Sequence, residues 1–249
     1  MIRLAAIHRY PVKGLQGENL TRATVARGGA LPADRRFALA PAMSGIDPQT
    51  RTWQARRGFF HLARHAVLAP FAAAWRDDNR TLSITRDGRT LVEGRPEDPD
   101  ERNRLSDGLA AALGLDQALT LVGGEGASFS DVPARVLSVI SLASLEELAE
   151  GAGTVLDPRR FRGNLVIVGA KPWAEFGWVA RVFALGTARL RVIGAIERCA
   201  ATTVNPDTGE RDLNVPALLQ GAISRADCGV YAEVLAAGTF AGGDALMFA

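Results

Sequence analysis

The segment FALGTARLRVIGAIERCAATTVNPDTG, Phe183–Gly209, predicts two β-strands, a cysteine and a tight turn in quick succession. The two strands flank Gly186, and the second one, which includes Leu190–Ile196, leads directly to Cys199. The NPDTG stretch then supplies the residue types that start, bend and end a turn. We therefore expect the Cys199 thiol at the end of a strand beside a rigid loop, a position where functional groups are commonly mounted.

Short β-rich runs separated by Gly, Pro and Asp recur along the rest of the chain. The opening IRLAAIHRYPV has the period of a half-buried strand, and TLSITRDGRTLVEG predicts a hairpin with Asp87 and Gly88 in its turn. Leucines at helical spacing predict a helix that ends at Gly114, and SLEELAE and PALLQG predict two more. Further strands are predicted for RRFALA, TWQA, RVLSVIS, NLVIVG, CGVYAEVLAAG and GDALMF. The pattern favours a mainly β (α+β) fold of two β-barrel-like domains with a few short helices.

A glycine-rich segment, LVGGEGASFSDVP at Leu121–Pro133, is the best candidate for a domain boundary. We place an N-terminal domain over residues 1–122 and a C-terminal domain over residues 123–249. A chain of 249 residues is long enough for two domains of this size.

The composition is typical of a soluble globular protein, with 47% hydrophobic residues, 22% charged residues and a net charge of +2. Basic residues are dispersed along the chain, which argues against nucleic acid as a partner. The N-terminal stretch has no secretion signal, and no apolar run is long enough to span a membrane. Two cysteines without a CxxC or Cys/His cluster make neither a disulfide framework nor a zinc site. We expect a cytoplasmic protein with no membrane partner.

The residues around Cys199 leave three roles open for its thiol: a small core residue, a nucleophile or a metal ligand. Arg198 is adjacent, and a nearby guanidinium favours the thiolate that both reactive roles need. A nucleophile of the protease type needs a histidine partner, but the three histidines all lie in the first half of the chain and in no known signature. We interpret His8, His61 and His65 as strand or surface residues, and Cys228 as structural.

An ordered set of motifs resembles the MOSC-domain family, which takes its name from the C-terminal domain of molybdenum cofactor sulfurase. RCAATTVNPDTGE is similar to the cysteine motif of that domain, and FSDVPARVLSVISLASLEEL and RFRGNLVIVG are similar to its opening. YPVKG, LPADRRFAL and WQARR resemble segments of the β-barrel domain that precedes MOSC in the mitochondrial amidoxime-reducing component and its bacterial relatives. AEFGW and the final GD complete the family order, so the resemblance covers nearly the whole chain.

The resemblance implies a bound molybdenum cofactor, with Cys199 as the metal ligand and catalytic residue. It implies that cationic side chains bind the phosphate of the cofactor and that polar side chains orient the pterin. Backbone groups at Gly14 and Glu197 are expected to lie close to the cofactor. The cations are Lys13, Arg35, Arg56, Arg162 and Arg198, and the polar side chains are Asn164 and Thr203. Asp131 and Asp207 are expected to support an arginine or the loop, with a turn-forming Asp207 that has no role at the metal as an equal alternative. Gly14, Asn205 and Phe176 depart from the common family pattern.

The same resemblance implies an oxidoreductase that reduces N-hydroxylated small molecules. The sequence shows no four-cysteine ferredoxin module, so we expect a separate electron-transfer protein, of ferredoxin or cytochrome type with its reductase. We also expect no membrane anchor of the kind that the mitochondrial relatives have at the N-terminus. The alternative function is a carrier without turnover, either of persulfide sulfur on Cys199 or of the molybdenum cofactor. A persulfide carrier needs an accessible thiol but not the full set of phosphate-binding residues.

Overall fold

A computed structural model describes residues 1–249 as a mainly β protein with three α-helices, which confirms the expected fold class. The strands are β1 Arg3–Arg9, β2 Glu18–Leu20, β3 Arg22–Val25, β4 Phe37–Pro41, β5 Phe71–Arg76, β6 Thr81–Arg86, β7 Arg89–Gly94, β8 Leu119–Gly123, β9 Leu137–Ser141, β10 Leu165–Val168, β11 Val182–Leu185, β12 Ala188–Glu197, β13 Asp227–Ala236, β14 Gly238–Ala241 and β15 Leu246–Phe248. The helices are α1 Pro99–Leu113, α2 Leu142–Gly151 and α3 Val215–Ile223. No helix combines the length and apolarity that crossing a bilayer requires.

The largest sheet has eight strands in the order β15-β11-β12-β13-β9-β10-β1-β2. Every neighbouring pair is antiparallel except β9 and β10, which run parallel. In β12 the apolar residues Ala188, Leu190 and Val192 are buried, while Arg189 and Arg191, which alternate with them, are exposed. This alternation places one face of the sheet on an apolar core. The strand ends at Glu197, two residues before Cys199.

The first half of the chain contributes a three-stranded sheet, β5-β6-β7, and the pair β4-β8. The predicted hairpin is present as β6 and β7, with Asp87 and Gly88 both at positive φ in the turn. Helix α1 begins where the Asp98 carboxylate accepts hydrogen bonds from two backbone N–H groups. Its predicted leucines are buried against a second apolar core, so local periodicity and packing agree here.

Two of the first three strands, β1 and β3, pair with strands from the second half of the chain. β1 lies beside β10, β2 continues the same sheet, and β3 pairs with β14. Residues 3–25 are thus hydrogen-bonded to the body formed by the later strands. The division at residues 122 and 123 stays a prediction, and a cut there would separate paired strands.

The prediction of a strand for TWQA was wrong, because these residues form no ladder hydrogen bonds. The Trp53 indole instead donates to the Ser130 carbonyl at 3.0 Å, so the segment crosses between the two halves of the chain. A short 3-10 helix, Arg56–Gly58, follows and carries the arginine that reaches Cys199.

Candidate functional site

A cavity of about 270 Å³ is lined by residues from both halves of the chain. Nine of the ten predicted site residues contribute to its wall, although they are spread over 187 positions of sequence from Lys13 to Cys199. They are Lys13, Gly14, Arg35, Arg56, Arg162, Asn164, Glu197, Arg198 and Cys199. The fold therefore brings together residues that only the order of motifs had connected.

Cys199 lies two residues after β12, in extended backbone, and its side chain is half-buried. Its carbonyl oxygen accepts hydrogen bonds from the Thr202 N–H at 3.0 Å and the Thr202 hydroxyl at 2.9 Å, which fixes the following turn. The Arg56 Nη1 atom lies 3.6 Å from the Cys199 Sγ atom. Arg56 is exposed and forms no ion pair with a carboxylate, so its charge is available to stabilise a thiolate or an anion bound beside it.

Arg35 and Arg162 meet at the ring of Tyr10. Their guanidinium carbons lie 4.5 and 4.4 Å from the ring centroid, and the Arg35 Nη2 atom donates to the Arg162 carbonyl at 2.9 Å. Both arginines have positive φ, +48° and +52°, a conformation that costs about 1–2 kcal/mol for a residue with a side chain. Tertiary contacts therefore hold both guanidinium groups at the cavity wall against a local preference.

The compensation of these two charges differs. Arg35 donates to the Asp34 carboxylate at 2.5 Å, whereas Arg162 has no carboxylate partner and donates to the Leu15 carbonyl. Burial, together with the nearby charge of Arg35, lowers the pKa of Arg162 to about 10. A polyanion in the cavity would relieve both effects.

Arg198 is held entirely by backbone oxygens. Its Nε and Nη2 atoms donate to the Cys228 carbonyl and its Nη1 atom donates to the Phe161 carbonyl. No carboxylate pairs with it, and burial lowers its pKa. The guanidinium is thus fixed in position beside Cys199 while its positive charge stays uncompensated.

Lys13 forms an ion pair across the two halves of the chain. Its Nζ atom donates to Asp131 at 2.6 Å and to the Phe129 carbonyl at 2.9 Å. Burial lowers the pKa of Lys13 despite the opposing charge of Asp131. Burial would raise the pKa of Asp131, but the Lys13 ammonium outweighs it and holds that pKa below its usual range. Asp131 thus pairs with Lys13 and not with an arginine, and Asp207 pairs with an arginine, the exposed Arg159, outside the cavity.

Gly14, next to Lys13, has a φ of +88° and no room for a side chain. A Cβ atom here would lie 2.8 Å from the Leu68 Cδ1 atom. Glycine at this position lets the backbone form part of the cavity wall where any other residue would be strained.

The polar residues predicted to orient the cofactor have different positions. The Asn164 side chain lines the cavity, but it accepts hydrogen bonds from the Ser138 N–H and hydroxyl and donates to the His8 carbonyl. Thr203 does not line the cavity, since its hydroxyl donates to the Ala200 carbonyl and accepts from Arg211. Glu197 is exposed at the cavity edge.

Sequence analysis missed several residues of the site, including His61 and Tyr10. His61 lines the cavity and does not face away from it as a surface residue, and burial together with His65 and nearby cations lowers its pKa to about 4. Its imidazole is therefore neutral at physiological pH. The signal for Tyr10 was its place directly before the PVKG motif, and for His61 its place five residues after Arg56.

The electrostatics of the whole cavity favour a multiply charged anion. Six basic and three acidic side chains line it: Lys13, Arg35, Arg56, Arg160, Arg162 and Arg198 against Asp34, Asp131 and Glu197. The Nε atom of Arg160 is buried with no hydrogen-bond partner. Arginine forks that are fixed in place and lack carboxylates are suited to phosphate.

The fold and the site together define a mainly β protein with a cationic cavity and a thiol at its wall. Residues 126–247 match the family model "MOSC domain" and residues 1–114 match "MOSC N-terminal beta barrel domain". The two models together match nearly the whole chain, and the chain belongs to the MOSC-domain proteins with an N-terminal MOSC β-barrel domain.

Similar curated proteins match over a shorter segment. Mitochondrial amidoxime-reducing component 1 of Mus musculus is 38% identical over 78 residues, which are 31% of this chain and 22% of that protein. The Homo sapiens protein of the same name is 37% identical over 33% of this chain and 23% of its own length. Mitochondrial amidoxime reducing component 2 of Bos taurus is 34% identical over 34% of this chain and 24% of its own length. The matched segment thus spans less than a quarter of each relative.

Two solved structures are also similar. The YUAD protein from Bacillus subtilis has a TM-score of 0.48 and 11% identity, covering 100% of this chain and 96% of that one. YiiM from Geobacillus stearothermophilus has a TM-score of 0.36 and 18% identity, covering 45% of this chain and 53% of that one.

Proposed function

We propose that this protein binds a molybdenum cofactor and reduces N-hydroxylated compounds with electrons from a separate electron-transfer protein. The observation that carries the proposal is the half-buried Cys199 thiol beside Arg56, in a cavity whose Arg162 and Arg198 have no carboxylate partners. Membership of the MOSC family and similarity to proteins named amidoxime-reducing components support the choice of cofactor and reaction.

The side chains of the cavity fit such a cofactor chemically. A thiolate is a soft ligand and suits a transition metal whose other ligands are sulfur. The guanidinium groups of Arg162 and Arg198 suit a terminal phosphate, and Arg35 has further N–H groups beyond its contact with Asp34. We assign the metal to Cys199 and the phosphate to these arginines with Lys13 and the Gly14 backbone.

The bound cofactor would supply the two-electron chemistry that breaks the N–O bond. Overall, the N-hydroxylated substrate takes up two electrons and two protons and becomes the reduced nitrogen compound and water. The protein's part is to hold the reacting groups, exclude water and provide hydrogen bonds. The neutral His61 imidazole can donate at one nitrogen and accept at the other, which makes it the cavity residue best suited to guide a proton.

The first test is molybdenum and pterin analysis of protein purified from a host that makes the cofactor. Near-stoichiometric metal and pterin are expected, together with reduction of an N-hydroxylated substrate when an artificial electron donor is supplied. Cys199→Ser should lose the metal and keep its fold, whereas Cys228→Ser, which removes a thiol outside the cavity, should keep the metal.

Two outcomes would contradict the proposal. Normal metal content in Cys199→Ser would overturn the assignment of the ligand. Folded protein free of metal and pterin would overturn cofactor binding, and added sulfur on Cys199, detected by mass spectrometry, would then favour the persulfide carrier.

A further inference from the structure

We infer that a second, open groove, which adjoins the cationic cavity at Cys199, binds the substrate and prefers N-hydroxylated compounds that carry a carboxylate. This inference rests on the proposed function for the identity of the reaction. The groove has a volume of about 520 Å³ and is named here the outer groove. Its wall includes Ala63, Arg198, Cys199, Ala200, Arg211 and Pro216.

The position of the outer groove connects it to the cationic cavity. Ala63, Arg198 and Cys199 line both spaces, so Cys199 lies where the two meet. A group held on Cys199 in the cavity is therefore open to a reactant that arrives through the outer groove. The cavity has the fixed cations that a phosphate needs, whereas the outer groove is open to solvent, as a site for exchangeable substrate must be.

Arg211 gives the outer groove its charge. Its Nη1 atom donates to the Ala200 carbonyl and the Thr203 hydroxyl, each at 2.8 Å. Its Nη2 atom donates to the Leu62 carbonyl at 3.1 Å and the Ala63 carbonyl at 2.8 Å. These four bonds fix the guanidinium between the loop after Cys199 and the segment after His61, yet none of them neutralises it.

The remaining lining determines the class of ligand. No Asp or Glu lines the outer groove, and neither Arg198 nor Arg211 forms an ion pair with a carboxylate. Ala63, Ala200 and Pro216 add small apolar surface that suits a flat organic body. The amide oxygen of Asn214 accepts from the Ala217 N–H at the start of α3, so it does not compete for the cations. Because Arg198 is assigned to the phosphate of the cofactor, the uncompensated guanidinium of Arg211 beside this apolar surface is the charge that favours a substrate with an anionic group.

The first test measures the charge preference of Cys199 without any cofactor. Purified metal-free protein is treated with anionic, neutral and cationic methanethiosulfonates, with which the thiolate forms a mixed disulfide and methanesulfinate leaves. Cys228 is fully buried, so mass spectrometry reports the modification of Cys199. The anionic reagent should react about tenfold faster than the cationic one, and the neutral reagent reports accessibility alone.

Variants locate the source of that preference. Arg211→Gln should lower the anionic-to-cationic rate ratio about fivefold, while Arg211→Lys keeps the charge, loses the forked hydrogen bonds and should retain most of the ratio. Arg104→Gln, on the exposed face of α1, removes the same charge elsewhere and should leave the ratio unchanged. A ratio near one, or a ratio that responds to Arg56→Gln and not to Arg211→Gln, would overturn the inference because reagents would then enter through the cavity.

The second test uses the loaded enzyme and a matched substrate pair, an N-hydroxylated carboxylic acid and its methyl ester. The acid should have the higher kcat/KM, mainly through a lower KM, and Arg211→Gln should reduce that advantage several-fold. Equal kcat/KM values would overturn the preference. Failure of the protein to acquire cofactor would instead refute the proposed function, and the labelling ratios would still decide the charge of the outer groove.

Discussion

Replacing Arg162 with methionine should leave the ligand-free protein at least as stable as the parent, although it removes the contacts of Arg162 with the Leu15 carbonyl and the Tyr10 ring. Burial and the nearby charge of Arg35 lower the pKa of Arg162 to about 10, and no carboxylate forms an ion pair with it. Methionine keeps much of the side-chain volume without the charge. The same change should weaken the binding of polyanions, because the cavity loses one of its fixed cations.

The magnitude follows from opposing contributions to the free energy of unfolding. A pKa lowered to about 10, more than two below its ordinary value, corresponds to about 3 kcal/mol of cost to the charged form. Against this gain, the variant loses the hydrogen bond to the Leu15 carbonyl, about 1 kcal/mol, and the contact with Tyr10, about 0.5–1 kcal/mol. We expect a net stabilisation of about 1 kcal/mol.

The pH dependence has a defined sign. At pH 7 the guanidinium is charged in both the folded and the unfolded chain, so the full cost is present in the parent protein. The cost begins to fall as the pH rises through about 10, where the folded state releases its proton while the unfolded state still holds one, and it is lost only when the unfolded state releases its proton too. The stability difference between variant and parent should therefore shrink at high pH.

Urea unfolding and calorimetric titration with pyrophosphate measure the two effects separately. Arg104→Met, on the exposed face of α1, is the control for charge removal. A loss of more than 1 kcal/mol of stability in Arg162→Met would refute the reasoning about an uncompensated buried charge. Unchanged pyrophosphate affinity would refute the assignment of Arg162 to anion binding.

Three further predictions concern other residues of the site. Gly14→Ala should lower the free energy of unfolding by about 2 kcal/mol in urea titrations, because φ is +88° and the new Cβ atom would meet Leu68 at 2.8 Å; unchanged stability would show that the loop relaxes. The His61 imidazole should titrate near pH 4 by NMR and at higher pH once pyrophosphate offsets the neighbouring cations; a titration point that does not move would place the anion elsewhere. Iodoacetamide at pH 8 should modify Cys199 and not Cys228, since burial raises the pKa of Cys228 to about 12; equal labelling of native protein would contradict that burial.

Local features of the fold were predictable because their causes lie within short segments. Asp87 and Gly88 both tolerate positive φ, so the hairpin they join is readable from two residues. Leu105, Leu109 and Leu113 lie on one face of α1, and all three are buried. The strand before Cys199 alternates between buried and exposed residues over most of its length.

The rest depends on contacts between distant parts of the chain. Nothing in the sequence of TWQA shows that it lacks a pairing partner, and β-propensity alone made it a strand. In the sequence, Arg211 has the features of an ordinary surface charge. In the structure its guanidinium joins the loop after Cys199 to the carbonyls of Leu62 and Ala63, which lie 149 and 148 positions earlier in the chain. The motif order could indicate which residues share a site, but the clustering of Arg35 and Arg162 on Tyr10 is a product of tertiary structure.

The pairing of β1 with β10 sets the order in which the parts of the site can assemble during translation. Lys13 and Gly14 follow β1, which pairs with β2 soon after it is made but lacks its other neighbour, β10, until residues 165–168 have emerged. Arg198 needs the Cys228 carbonyl of β13, which appears later still. The edge of β1 that faces β10 therefore stays unpaired while about 160 residues are made, at about 5–20 residues per second. A ligand of the cavity has no binding site to enter on the growing chain until β13 is in place.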